Sequence, residues 1–296
     1  MAAATKQIRL IVFNSDAGLI VARSRGLFAR EGLDVEVTAT PNSTDQMRGL
    51  GAGSWEIAST AFDNVLGWSG RERAEFAAVA QAAQGILLPV YVRPEIKTWD
   101  GLRGKPLAVD AVDTAYALVL RRILLAHGLD LNRGDYQLVA CGATGKRLES
   151  MSRGETFAGV LNPPWDAKAA AAGHVRLGDH REALPNYPGG VYAVSRGWVA
   201  SHREELIGFL RAWLAGLRWA HDPSNREETI ELVAADQEMS PQAAAARLAQ
   251  LPKDGSLDLA GLQSVLDLRL LFNFAPKLGG DLKRYYDLEY HHAARG

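Results

Sequence analysis

The side chains that could hold a ligand cluster where apolar runs stop and helices begin. In "FAGVLNPPWDAKAAAAG" (157–173), the run ends at Asn162, two prolines follow, and Trp165 opens an alanine-rich helix. Proline cannot donate a ladder hydrogen bond, so the strand must stop there. Asn162 then offers an amide and Trp165 an aromatic wall; alternatively "NPPW" only punctuates a strand and a helix. "STAFDNVL" repeats the pattern at Ser59, Thr60 and Ala61, and "AVDAVDTAYALVL" repeats it at Asp113, Thr114 and Ala115. Backbone N–H groups at a helix start, at the positive end of its dipole, attract an anion. Further candidates are Asn14 and Ser15 in "NSDAG", where Ser15 or Asp16 caps the next helix, Gln81 after a fourth strand, and Tyr192 on a later one. Asp113 is expected to cap the helix that it opens.

Other chemistries find less support. Cys141 in "CGATGKR" precedes Lys146 and Arg147, a cationic helix start that favours a thiolate, but no histidine lies near it in sequence. It reads better as a small apolar residue, so no catalytic residue is assigned. A lone cysteine excludes an internal disulfide and a multi-cysteine zinc site. Among the histidines only adjacent His291 and His292 pair, so neither a metal nor a cofactor is expected. The dinucleotide, P-loop, nucleophile-elbow and zinc-protease motifs are absent.

The elements that position these residues alternate. "IRLIVFN", "LDVEVTA", "WEIAST" and "EFAAVAQ" read as strands with helices between them, the second of which is capped by Ser43. After "ILLPVYVRP", a second set follows: "PLAVDAV", "YQLVACG", "FAGVL" and "VRLGD", again with helices between. "GVYAVSRGWV" is a returning strand. From Ser201 the pattern is helical, with caps at Ser201, Ser224 and Ser240 and a capping box of Ser224 with Glu227. β-α-β order predicts parallel sheets with helices on their faces. Extended crossings near 86–93 and 183–191 therefore predict two lobes: residues 1–88 plus 189–296, and residues 89–188. The ligand is expected in the interlobe cleft, at the carboxyl ends of the strands.

Across 296 residues the net charge is −1, which argues against a nucleic-acid partner. No run approaches the ~20 apolar residues that span a bilayer, so direct membrane insertion is not expected. If Met1 is the native start the protein is cytoplasmic; if a leader was removed, periplasmic.

"GLFAREGLDVEV", "MRGLGAGSWEIAST", "WDGLRGKPLAV", "LLAHGLDLNRGDYQLVACG" and "GVLNPPWDAKAAAAG" together resemble the solute-binding components of nitrate, sulfonate and taurine ABC importers, over roughly residues 8–220. The resemblance implies an α/β, two-lobed, type 2 periplasmic-binding-protein fold with a helical C-terminal region, an organic anion (sulfonate, carboxylate or aromatic acid) as ligand, and an ABC permease as partner. Related enzymes include thiamin-pyrimidine synthases, which use a histidine and a cysteine-rich motif, and aromatic sulfinate desulfinases, with a cysteine near the first strand; "FNSDAGL" lacks that cysteine. The alternative is a cytosolic lyase or decarboxylase acting on a small aromatic or heterocyclic acid. A ligand-sensing domain ranks last, because no DNA-binding helix pair is evident.

A two-lobed binder closes on its ligand, since only the closed form makes every contact. Small-angle scattering is expected to give a smaller radius of gyration with a saturating ligand; an unchanged radius would exclude hinge closure.

Overall fold

The computed structural model describes residues 5–296. The chain runs β1 (Lys6–Val12), α1 (Ala17–Ser24), α2 (Leu27–Arg30), β2 (Leu33–Ala39), α3 (Ser43–Ala52), β3 (Ile57–Thr60), α4 (Phe62–Trp68) and β4 (Phe76–Gln81). There follow β5 (Pro89–Val92), β6 (Pro106–Val109), α5 (Ala115–Ala126), β7 (Gln137–Ala140), α6 (Thr144–Ser152), β8 (Ala158–Val160), α7 (Trp165–Ala171) and β9 (Val175–Asp179). β10 (Val191–Ser195) leads into α8 (Arg196–Val199), α9 (Arg203–His221), α10 (Arg226–Asp236), α11 (Pro241–Leu248), α12 (Leu259–Leu271) and α13 (Glu289–Arg295).

The chain divides into two compact units. The first runs from the N terminus to Ile86 and includes Pro188–Leu262 and Pro276–Gly296; the second is Leu87–Tyr187 with Gln263–Ala275. The tail segment 263–275, expected with the first lobe, thus groups with the second unit. There Arg269 Nη1 donates to Asp113 O at 3.4 Å, and the Arg121 guanidinium lies 4.0 Å over the Phe272 ring.

Each unit has its own five-stranded sheet, in the orders β2-β1-β3-β10-β4 and β7-β6-β8-β5-β9. The expectation of parallel sheets needs correction, because both are mixed. β10 runs antiparallel between β3 and β4, and β5 antiparallel between β8 and β9. Each odd strand is the first one laid down after the chain enters that unit from the other, so it inherits the opposite direction.

Local corrections concern caps. Asn42, not Ser43, caps α3, accepting from Asp45 N at 2.8 Å. His202, not Ser201, occupies the cap of α9, with no side-chain bond. The Ser224–Glu227 box does not form: Asp222 takes Ser224 N at 2.9 Å, which locks Ser224 into a 3-10 turn, and Asn225 precedes α10. Thr114, not Asp113, stands at the cap of α5. The strand predicted through Val199 ends at Ser195. Ser240 does cap α11, accepting from Ala243 N at 3.2 Å.

The first unit's core is built on α9. Leu206, Leu210, Trp213 and Leu217 recur at helical spacing and are buried, while Glu204 and Glu205 at its start and Arg218 and His221 at its end suit the dipole. Trp213 and Phe209 pack edge-on to Tyr192, with ring centroids at 5.2 and 5.4 Å. α1 crosses α9 at close range through two glycines: a Cβ on Gly216 would lie 2.2 Å from Gly18 O and 3.0 Å from Ala22 N. Gly216→Ala must therefore push the helices apart, and overpacking of this kind costs ~1–3 kcal/mol, more than the helix propensity that alanine restores. Urea unfolding is expected to show a lower midpoint; an equal or higher one would mean that the crossing is not tight.

Candidate functional site

In the first unit β1, β2, β3 and β4 all end on one edge, where β10 begins, with Val191 paired to both Thr60 and Gln81. Phe13 and Asn14 follow β1 and are exposed; Ser15 is half-buried. Asp16 fixes this turn. Its carboxylate accepts from Leu19 N at 3.0 Å, Trp213 Nε1 at 2.9 Å and the Tyr192 hydroxyl at 2.5 Å. Gln237 Nε2 donates to Ser15 O at 2.5 Å and straps the same turn from α10. Tyr192 is 0% exposed, so in this structure it acts on the edge through Asp16.

Gln81 is buried too, and its amide is committed. Nε2 lies 2.9 Å from Ala83 O, 3.1 Å from Gly189 O and 3.0 Å from Gly190 O, and Oε1 accepts from Asp258 N at 3.3 Å. The Thr60 hydroxyl accepts from Asn64 Nδ2 at 2.9 Å. Ala61 stands in the cap position of α4 and supplies no side-chain acceptor.

In the second unit β6, β7, β8 and β9 end on one edge, where β5 begins. The organiser is Arg147, buried on α6. Its Nε donates to Val160 O at 3.2 Å, Nη1 to Gly142 O at 3.2 Å and Nη2 to Thr144 Oγ1 at 2.7 Å. Thr144 in turn donates to Asn162 Oδ1 at 2.9 Å. Asp110, directly after β6, lies 3.8 Å from Arg147 Nη1 and accepts the Thr114 hydroxyl. Burial lowers the pKa of Arg147, with Asp110 opposing; a guanidinium stays charged even so. Trp165 is half-buried. It packs on Leu148, Met151, Leu161 and Ala169, and a Cβ on Gly145 would meet its ring at 2.7 Å. The indole is thus partly core, with the Lys168 ammonium 4.2 Å from its ring centroid.

The sequence candidates therefore fall on two like edges, one per sheet: Asn14, Ser15, Thr60, Ala61, Gln81 and Tyr192 on the first, Thr114, Ala115, Asn162 and Trp165 on the second. Sequence reasoning missed Asp110, Thr144 and Arg147 as site residues. The last two stand in "CGATGKR", where attention went to Cys141, whose thiol instead donates to Val139 O at 3.4 Å. It missed Phe13 and Val112 as well, 45% and 48% exposed, which follow equivalent strands of the two sheets. Among the described residues no group of three His, Cys, Asp or Glu side chains could hold a metal ion.

The sequence model of the NMT1-like family matches residues 7–234. The chain belongs to the NMT1-like family. No curated protein matches it in sequence. Its fold is shared with the alkanesulfonate-binding protein SsuA of Xanthomonas axonopodis pv. citri bound to MOPS, at TM-score 0.76 and 16% identity over 96% of this chain and 99% of that one. The nitrate-binding protein NrtA of Synechocystis PCC 6803 gives 0.78 and 12%, covering 98% and 88%. A DSZB mutant in complex with biphenyl-2-sulfinic acid gives 0.68 and 15%, covering 98% and 99%. The NMT1-like chain thus has the α/β fold of periplasmic binding proteins, with two mixed sheets flanked by helices.

One consequence for this NMT1-like chain is a pH dependence. Burial raises the Asp16 pKa, with the Tyr192, Trp213 and backbone bonds opposing. An acid with a raised pKa binds its proton more tightly in the native state, so the stability it contributes is full below the unfolded value of roughly 3.9 and is lost as pH rises toward the folded value. Asp16→Asn cannot ionise and keeps an acceptor for Leu19 and Trp213. Urea unfolding between pH 4 and 8 is expected to give a flatter stability–pH slope for the variant; parallel slopes would remove Asp16 as the titrating group.

Proposed function

We propose that this chain is the substrate-binding component of an ABC importer, that it takes a small organic anion, and that the ligand contacts come from the strand-end edges. It would work outside the cytoplasmic membrane, beside a permease. Family membership supports this reading, as do fold neighbours described as alkanesulfonate-binding, nitrate-binding and the ligand-binding component of an ABC-type import system.

The observation that carries it is the state of three helix starts that follow strand ends. At α5 and α6 of the second edge, and at α4 of the first, the cap residues are Thr114, Ala143 and Ala61, and none bonds a first-turn N–H through its side chain. Such N–H groups, at the positive end of a dipole, suit a sulfonate or carboxylate. Phe13, Val112 and the exposed part of Trp165 offer apolar surface for the organic part.

The test is to fill the caps. Ala143 and Ala61 both have extended ψ values, 160° and 141°, which suit a capping aspartate. A ligand is first found by thermal shift across sulfonates, carboxylates and aromatic acids. Ala143→Asp and Ala61→Asp are each expected to stabilise the ligand-free protein by ~0.5–1 kcal/mol and to weaken anion binding at least about tenfold, because the new carboxylate occupies the acceptor place and repels the anion. Unchanged affinity in both variants would remove the helix starts from the site.

A further inference from the structure

We infer that Arg247 is the cation that meets the ligand's acid group, and so the residue by which the site selects an acid over its neutral amide. This rests on the substrate-binding reading and deepens it. Arg247 lies on α11 and is half-buried. Its Nη1 donates to Gln237 Oε1, and Gln237 Nε2 donates in turn to Ser15 O at 2.5 Å. Three residues further on, Gln250 O accepts from Gln84 N at 2.9 Å. This stretch therefore reaches the turns after β1 and β4, on the first unit's strand-end edge. β3 and β10 lie between those two strands, and the uncapped start of α4 follows β3.

Arg247 holds its charge without a counter-ion. Arg9 and Arg196, half-buried in the same unit, each face a carboxylate: Glu56 for the first, and Asp287 at 3.5 Å for the second. Arg247 donates instead to a neutral amide, and its other N–H groups meet no acceptor among the described residues. Burial lowers its pKa, and no carboxylate opposes that. A guanidinium stays charged even so, and a charge partly withdrawn from water is costly until an opposite charge meets it. Arg147 in the second unit is the contrast, with its N–H groups spent on Val160 O, Gly142 O and Thr144 Oγ1. Arg247 is fixed through one N–H and keeps the rest of its fork, which matches the paired oxygens of a carboxylate or a sulfonate. The start of α4 offers the anion a partial positive charge, and Arg247 adds a whole one. The same amide holds Arg247 and the Ser15 turn, so the cation and the turn are positioned together.

The experiment uses the intact chain and matched pairs by isothermal titration calorimetry: propionate with propionamide, benzoate with benzamide, and benzenesulfonate with benzenesulfonamide. The acid of the best-binding pair is expected to bind at least about tenfold tighter than its amide, the scale of a hydrogen bond between charged groups. Arg247→Gln is expected to cut that ratio to about threefold or less, whereas Arg247→Lys, which keeps the charge and loses the fork, holds it within about threefold of the parent value. The ratio does not depend on the fraction of folded protein. Should Arg247→Gln not fold, Gln237→Glu keeps Arg247 and its acceptor but supplies the missing carboxylate from within the chain, and is expected to cut the ratio to about threefold or less. Acids that bind without an advantage over their amides, a ratio that survives Arg247→Gln or Gln237→Glu, or a ratio that Arg247→Lys lowers as far as Arg247→Gln does, overturn the inference and leave the substrate-binding reading standing. If no acid in any pair binds, that reading falls and this inference with it.

Discussion

A single carboxylate, Asp16, holds together parts of the first unit that the chain lays down far apart. Its oxygens receive an amide from α1, a phenol from β10 and an indole from α9, so three separate segments converge on one half-buried acceptor. β10 fills the gap between β3 and β4, and without it the sheet is two pieces. The Tyr192–Asp16 bond sits on that inserted strand and the Trp213–Asp16 bond on the helix that covers it. Burying a charge this way is costly, and the three donors offset only part of that cost, which is why burial still raises the Asp16 pKa. The strand-end turn that carries Asn14 and Ser15 is therefore tied to β10 and α9 through Asp16.

The second unit solves the same problem with the opposite charge. Arg147 donates to the end of β8 and to the β7–α6 connection, and lies 3.8 Å from Asp110 after β6. A guanidinium suits this task because its planar fork addresses several acceptors at once. Both edges thus rest on one buried ionic group whose hydrogen bonds run to main chain or to neutral side chains. The surface turned outward is left to N–H groups, hydroxyls and scattered apolar side chains.

Much of the fold was legible because periodicity changes sharply along this chain. β2 and β9 match their predicted spans. The direction of β5 and β10 was not legible, since strand direction depends on which unit the chain comes from and leaves no mark in a four- or five-residue apolar run. Caps failed for a related reason. Ser43, Ser201 and Ser224 are all good cap types, but Asn42 and Asp222 stand one or two residues earlier and capture the N–H groups first. Of the site, the strand-end positions could be read from where apolar runs stop. Arg147 could not, because an arginine near a helix start reads as solvated, and its burial follows only from loops brought together by the sheet.

The uncapped starts of α4, α5 and α6 have an energetic meaning beyond recognition. Each missing cap forgoes stability on the order of 1 kcal/mol that a single substitution would supply. Side-chain caps close α1, α3 and α11, whereas α4, α5 and α6 start without one. On the proposed reading, an acceptor from outside would recover that cost by completing the first turn. Free-energy linkage then makes the ligand part of the fold's own hydrogen-bond inventory: an acceptor that binds the native state alone stabilises it in proportion to the logarithm of its concentration over its dissociation constant. At α4 and α6 the third N–H of the first turn already meets the cap carbonyl, Asn64 N donating to Ala61 O at 3.0 Å and Lys146 N to Ala143 O at 2.8 Å, so the earlier N–H groups are the ones that an outside acceptor would serve.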